Sequence, residues 1–373
     1  MINRPKKTRH VKEKMHILHI LPHLSSGGAE RQMLYLSQEL LRNAHVVDIA
    51  YLYEGEKGLQ PTFIADANYF KIKCRNNYDP AILLQLILLI NKRKPDIIHT
   101  WIRQMDILGG LAAVCLQKPW LLREPNSKKA YPANWKHRLR IKIAHFAKAI
   151  VANSEDGLMY WQSFYPQKKL SIIPNGIPIQ VIENHSANVH EWDSLLSSNY
   201  IMYAGRIEKQ KNIDTLIRAI YRLNQTRNLK LIVCGHGKQK PFLAQLVREL
   251  NLDNKVFLIG AVSPENVWSF MKQAKAFVLL SEYEGLPNVV LEAMVCQCPL
   301  IVSDIPAHRA FLDEQQALWV NKIAPENAAD QILEIINKPE DAKNRAKKAR
   351  EAIEKWSVQN MAREYEKVYQ WII

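Results

Sequence analysis

The chain has 373 residues, 47% hydrophobic and 23% charged, which is ordinary for a soluble globular protein and long enough for two domains with separate cores. Its five cysteines (Cys74, Cys115, Cys234, Cys296, Cys298) form no even framework, and the lone Cys296-x-Cys298 lacks a second pair, which argues against a disulfide scaffold and a zinc site. The net charge of +15 is uneven, because residues 1–150 hold 25 Lys and Arg against 11 Asp and Glu and the rest is nearly neutral, so the first half suits an anionic partner.

Residues 1–14 are a basic tail carrying Arg4, Lys6, Lys7, Arg9, Lys12 and Lys14, with no apolar stretch of the signal-peptide kind behind it. Residues 15–21 read as a strand, 22–28 as a turn-rich loop and 29–42 as a helix. Gly27 and Gly28 between them let a backbone or a phosphate come close. The alternation continues with strand 46–52, helix 80–92, strand 96–101, helix 105–116, strand 119–123, helix 134–147, strand 149–153, helix 155–163 and strand 170–173. The most apolar run, 81–90, is too short to span a bilayer. Pro174-Asn175-Gly176-Ile177-Pro178 breaks the pattern, and the polar stretch to about 199 marks a domain boundary. A second run follows: strand 200–205, helix 212–222, strand 230–234, helix 241–250, strand 256–259, helix 264–273, strand 276–280, helix 289–295 and strand 300–302. Amphipathic helices at 324–336, 338–356 and 361–373 close the chain. Strands separated by helices predict an α/β fold with parallel sheets, which bind ligands outside the carboxyl ends of their strands.

Four segments fall on those edges. In Ser281 to Met294, Gly285 and Pro287 mark a sharp turn, Asn288 is placed as the N-cap of the next helix, and Glu284 and Glu292 bracket the loop. Free amides at such a helix start can hold an anion, and carboxylates can accept hydrogen bonds from hydroxyls, a combination that suits a nucleotide sugar. Gly205-Arg206 with Lys211 puts a planar fork and a mobile point charge at a strand end, fit to neutralise a diphosphate. Gly235-His236-Gly237 adds a third close-approach loop on that rim, beside Gly27-Gly28 of the first half.

Taken together, Gly27-Gly28-Ala29-Glu30-Arg31, Ile173-Pro174-Asn175-Gly176-Ile177, Gly205-Arg206 with Lys211, and Glu284-x7-Glu292-Ala293-Met294 resemble the retaining glycosyltransferases of family 4 over nearly the whole chain. The resemblance implies the GT-B architecture: two Rossmann-like domains facing across a cleft. Residues 15–178 would form the acceptor-side domain and 179–357 the nucleotide-sugar domain, with 358–373 packing back on the first. By position, Arg206 and Lys211 would hold the donor diphosphate, Glu292 the ribose hydroxyls and Glu284 the transferred sugar. Amides in the stretch Leu286, Pro287, Asn288, Val289 (Pro287 itself having none) would meet the sugar and distal phosphate, with Gly235 alongside, and Gly27 and Gly28 would close over the phosphates. The implied reaction moves a hexose or N-acetylhexosamine from a UDP-linked donor to a lipid-linked glycan or a surface polysaccharide such as lipopolysaccharide, with no cofactor and no metal. One departure stands out: many relatives carry a histidine just after strand 119–123, and here the role falls vacant or passes to Arg123, Glu124 or Asn126.

Two other classes fit parts of the sequence. A sugar-nucleotide epimerase shares the architecture, and a non-catalytic anion- or nucleic-acid-binding protein would explain the basic half, although no nucleic-acid motif is present. The stretch 127–148 holds Lys128, Lys129, Lys136, Arg138, Arg140, Lys142 and Lys148 without an acidic residue, interleaved with Tyr131, Trp135, Leu139, Ile141, Ile143 and Phe146. Such a helix suits an anionic headgroup boundary, so Trp135, Lys136, Arg138, Arg140 and Lys142 are expected to dock the protein peripherally on the cytoplasmic face of a membrane, beside a lipid-linked acceptor.

Overall fold

A computed structural model describes residues 14–24, 27–55, 64–77, 79–126, 131, 134–186 and 199–373, so the basic tail before Lys14 and the cations Lys128 and Lys129 lie outside the described residues. The first half runs β1 (His16–Leu24), α1 (Gly28–Arg42), β2 (Val46–Glu54), β3 (Asn68–Lys71), α2 (Ala81–Arg93), β4 (Ile97–Thr100), α3 (Arg103–Cys115), β5 (Trp120–Glu124), α4 (Trp135–Ala144), β6 (Ala149–Ala152), α5 (Glu155–Gln162) and β7 (Leu170–Ile172). A short helix, α6 (Ile179–Asn184), leads to β8 (Tyr200–Ala204), α7 (Ile213–Leu223), β9 (Lys230–Cys234), α8 (Lys240–Glu249), β10 (Val256–Gly260), α9 (Pro264–Gln273), β11 (Phe277–Leu279), α10 (Asn288–Val295), β12 (Leu300–Ser303), α11 (Pro306–Arg309) and β13 (Ala317–Val320). Helices α12 (Pro325–Asn337), α13 (Pro339–Ala352) and α14 (Val358–Ile372) end the chain.

All strand pairs are parallel, in the orders β3-β2-β1-β4-β5-β6-β7 and β10-β9-β8-β11-β12-β13. Each is the doubly wound order, reversing direction beside its first strand. Alternation explains why both faces of the first sheet are covered: Ile17 and Leu21 of β1 enter one core cluster, Leu18 and Ile20 the other. Burying each such side chain contributes about 1.5–3 kcal/mol.

The chain crosses between the halves twice, and the crossings are stitched together. The Ile177 N–H donates to the Trp356 carbonyl at 2.8 Å and the Val358 N–H to the Ile177 carbonyl at 3.2 Å. Helix α14 then lies on the first half, where Met361, Ala362, Tyr365, Tyr369 and Ile372 join the core. Two edge strands, β3 and β13, and the short α6 and α11 were not anticipated from the sequence. The expected helix 338–356 ends at Ala352 and finishes in a 3-10 turn, Ile353–Trp356. The last helix starts earlier than expected, at Val358, because the Ser357 hydroxyl caps the Asn360 N–H at 3.3 Å.

Candidate functional site

The carboxyl ends of β1 and β8, where both sheets reverse order, face one cleft of about 540 Å³, a size suited to a small organic ligand. The second half supplies Gly205, Arg206, Lys211, Gly235 and the loop Glu284–Val289 with Glu292. The first half supplies Gly27, Gly28, Arg31, Arg123, Asn126 and Asn153. Residues far apart in sequence are thereby brought onto facing walls.

Two helices aim their amino ends into this space. Gly27 caps α1 and Pro287 caps α10, and neither end is closed by a side-chain hydrogen bond. The helix dipoles favour an anion at both starts, although at α1 the Glu30 carboxylate already lies against Gly27. The helix begins at Asn288 itself, so the expected N-cap role of Asn288 does not hold. Its side chain instead joins the halves: Asn288 Nδ2 donates to the Gly28 carbonyl at 3.2 Å, and Asn175 Nδ2 donates to Asn288 Oδ1 at 2.5 Å. Asn175 also donates to the Leu286 carbonyl at 3.2 Å, a second bond between the crossing and the loop before α10.

Lys211 is almost fully buried, and its ammonium pairs with Glu284, which also accepts from the Ser281 hydroxyl at 2.7 Å. Arg206 is exposed on the rim. Gly235 makes this rim possible: at φ +143° a Cβ there would lie 1.9 Å from the Gly205 carbonyl oxygen. Gly285 serves the interface, since a Cβ on it would sit 2.6 Å from the Pro125 carbonyl oxygen across the cleft.

Glu292, expected to face a ribose, is 3% exposed, and its Oε1 accepts from Arg31 Nη1 of α1 at 2.8 Å. Burial raises its pKa above the ordinary carboxylate value, and the Arg31 guanidinium works in the opposite direction. This cross-cleft pair was not foreseen. Nor was Asn153, which follows β6: its Nδ2 donates to the Pro125 carbonyl at 3.1 Å, while its buried Oδ1 finds no partner among the described residues.

The first-half candidates separate. Arg123 lines the cleft floor but is only 1% exposed, with Nε donating to the Tyr365 hydroxyl at 2.9 Å and the guanidinium 4.5 Å from the Trp101 ring. Its Nη2 donates to Asn175. Asn126 lines the wall beside Asn153. Glu124 does not face the acceptor side: it is fully buried, accepting from Arg140 Nη1 at 2.8 Å and the Trp161 indole at 3.0 Å. Arg140 is likewise not a surface cation, because it pairs with Asp106 and Glu124 at 2.8 Å each inside the domain. Burial pushes the Asp106 carboxyl up to about 6 even beside Arg140. The solvent side of α4 and the residues after it instead shows Trp135 (66% exposed), Arg138, Lys142 and Phe146 (60%), while Ile143, grouped with Trp135 by sequence, packs in the core. His99 offers no substitute for the missing histidine, being buried with Nδ1 against the Tyr369 hydroxyl at 2.8 Å. His145 lies exposed just past α4.

The chain matches two family models: "Glycosyltransferase Family 4" over residues 26–181 and "Glycosyl transferases group 1" over residues 188–352. Among curated proteins it is 32% identical over 204 residues to the N-acetylgalactosamine-N,N'-diacetylbacillosaminyl-diphospho-undecaprenol 4-alpha-N-acetylgalactosaminyltransferase of Campylobacter jejuni, and the match spans about half of each chain, 53% of both. It is 26% identical over 331 residues to the UDP-Gal:alpha-D-GlcNAc-diphosphoundecaprenol alpha-1,3-galactosyltransferase of Escherichia coli, covering 83% of this chain and 84% of that one. The fold is similar to that of Anabaena HepE solved with UDP-glucose, with TM-score 0.82, 16% identity, and 95% and 99% coverage. It is also similar to sucrose-phosphate synthase from Thermosynechococcus elongatus, with TM-score 0.81, 19% identity, and 96% and 99% coverage.

Proposed function

The chain belongs to the family 4, group 1 glycosyltransferases with the GT-B fold, and from that premise we propose that it transfers a hexose or N-acetylhexosamine, with retention, from a UDP-linked donor to a lipid-linked glycan. One observation carries this reading: Lys211, Glu284 and Glu292 stand beneath two uncapped helix starts that meet across one cleft. A departing nucleoside diphosphate gathers negative charge, and Lys211, Arg206 and the helix starts of α1 and α10 would meet that charge. Glu284, at the mouth of this array, would accept from a sugar hydroxyl, and Glu292 from the ribose. An acceptor hydroxyl would attack from the face that the phosphate leaves, giving up its proton to a phosphate oxygen. With so many fixed cations and amides, the transfer would need no metal.

The donor and acceptor classes are supported by relatives whose names give UDP-Gal as a donor and diphospho-undecaprenol glycans as acceptors. Among the described residues no helix is long and apolar enough to cross a membrane. A lipid-linked acceptor then calls for docking, and the exposed side of α4 offers it: Trp135, Arg138, Lys142, Phe146 and Lys148, with the Lys136 ammonium 5.7 Å from the Trp135 ring. The protein would thus work peripherally, on the cytoplasmic face.

The deciding experiment is a thermal-shift screen against nucleotide sugars, followed by incubation of the stabilising donor with undecaprenyl-diphosphate glycans in excess EDTA. A true donor stabilises the fold by about 2.7 kcal/mol at a hundredfold excess over its Kd. Transfer of sugar to the lipid with the anomeric configuration kept is the expected result. Isomerisation of the donor alone would identify an epimerase, and loss of transfer in EDTA restored by Mg²⁺ would refute metal independence.

A further inference from the structure

We propose that Arg31 is a positioning residue of the donor site, a first-domain guanidinium that holds Glu292 ready for the nucleotide and so completes the second domain's binding site only when the cleft is closed. This rests on the donor-site reading of Glu292 given above.

Three observations support it. Arg31 Nη1 meets Glu292 Oε1 at 2.8 Å, and neither side chain is well exposed, at 18% and 4%. A carboxylate buried this deeply stays ionised only with a partner, and among the described residues Arg31 is the cation that acts on Glu292. The groups that face it are Arg31 and Tyr35 from α1, Glu265 and the Trp268 indole from α9 and Cys296 just past its own helix; Arg31 supplies the positive charge, Trp268 favours the charged form only as a neutral donor, and Glu265 opposes it. Second, Arg31 and Glu292 both line the ligand cleft, so their pair stands at the wall that a nucleotide would meet. Third, Arg31 is fixed by the seam between domains. Its N–H donates to the Gly27 carbonyl at 2.9 Å in the first turn of α1, and the Gly28 carbonyl accepts from Asn288 at the start of α10. Arg31 therefore reaches Glu292 while the two helix starts lie together. An open cleft would strip Glu292 of the Arg31 cation, and a neutral Glu292 would grip ribose hydroxyls less firmly. Domain closure and nucleotide affinity become linked through one ion pair.

The test is calorimetric titration of the whole protein with UDP, and separately GDP, between pH 5 and 8. The variants are Arg31→Ala, Arg31→Lys, Glu292→Gln and the double Arg31→Ala/Glu292→Gln. The expected results are about tenfold or greater weakening in Arg31→Ala at pH 7, and an acid limb of the affinity profile moved to higher pH. Arg31→Lys should recover part of the loss. The double variant should bind no worse than Glu292→Gln within about twofold, since Arg31 acts through Glu292. An Arg31→Ala variant that binds with wild-type affinity and an unmoved acid limb overturns the proposal. So do losses that multiply in the double variant. If the wild type binds neither UDP nor GDP at any pH, the donor-site reading itself falls and takes the proposal with it; binding by the wild type confines a failure to Arg31.

Discussion

Lys211 and Glu284 share one ion pair in the cleft, so the expected diphosphate and sugar contacts begin from a neutralised pair. An entering diphosphate would compete with Glu284 for the ammonium and release that carboxylate toward the sugar. Removal of either cation should therefore cost turnover more than folding: Arg206→Ala and Lys211→Ala are expected to lower kcat by roughly 10²-fold, the loss typical of a donor aimed at developing charge. Arg206→Lys should remain well below wild type, because a point charge does not replace a planar fork. Steady-state rates with thermal midpoints as a folding control decide this, and wild-type rates in all three would remove the diphosphate role. Arg140 makes the opposite case, a cation spent wholly on structure. It is 0% exposed between Asp106 and Glu124, also buried. Arg140→Met strands two carboxylates and should destabilise the fold by about 3–5 kcal/mol in chemical denaturation. A loss below about 1 kcal/mol would show the cluster to be dispensable.

At the level of elements, the alternation of strands and helices was plain in the sequence because central parallel strands are buried on both faces and read as short apolar runs between helical patterns. The two edge strands escaped for different reasons. β3 is Asn68-Tyr69-Phe70-Lys71, half-exposed with polar ends and without a core-strand signature, whereas β13, Ala317-Leu318-Trp319-Val320, is apolar and largely buried but only four residues long, too short to stand out behind the acidic turn Asp313-Glu314. The site divides the same way. Glu284, Glu292, Lys211 and the glycine loops sit at strand ends that periodicity could place. Arg31 against Glu292, Asn175 against Asn288 and the orphan Asn153 depend on which wall faces which, and no local pattern carries that. Arg140 misled for a related reason: its charge implied solvent, while α4 turns it inward and points Trp135 out. Glycine loops give a direct test of the element level. Gly235→Ala would force a Cβ to 1.9 Å from the Gly205 carbonyl oxygen at a φ of +143°, so the rim bearing Arg206 must move. Donor affinity should fall by at least tenfold, roughly the cost of one displaced charged contact, with a smaller shift in melting temperature. Unchanged nucleotide binding in titration calorimetry would show that the rim is not part of the site.

For the molecule as a whole, the question is how a basic first domain and a nearly neutral second one would be oriented toward the proposed lipid-linked substrate. The first domain's sheet carries α3 packed between α2 and α4 on one side, and the far end of the chain, α14, locked into its other side by Tyr365 and Tyr369. The α14 side is therefore closed by its own chain, while α4 presents Trp135, Arg138 and Lys142 to solvent, with Phe146 just past its end. An aromatic flanked by cations on one helix side is fitted to a headgroup boundary, where each Lys or Arg contributes about 1 kcal/mol on an anionic surface. Lys136, Arg138 and Lys142 with the exposed Trp135 indole inserted at the headgroups would give reversible binding that salt weakens, because exposed charges are screened within about 10 Å at 0.1 M ionic strength. Co-sedimentation with vesicles of phosphatidylglycerol and phosphatidylcholine, against phosphatidylcholine alone, should show binding only to the anionic set and its decline as salt rises. Lys136→Ser/Arg138→Ser/Lys142→Ser should reduce it, Trp135→Ser should reduce it further, and Arg140 is left in place because its loss would unfold the domain. Turnover of a short-chain, water-soluble acceptor should survive these changes while turnover of the vesicle-held acceptor falls. If the wild type ignores anionic vesicles at low salt, the first domain's charge serves another anion and a soluble acceptor becomes the working assumption.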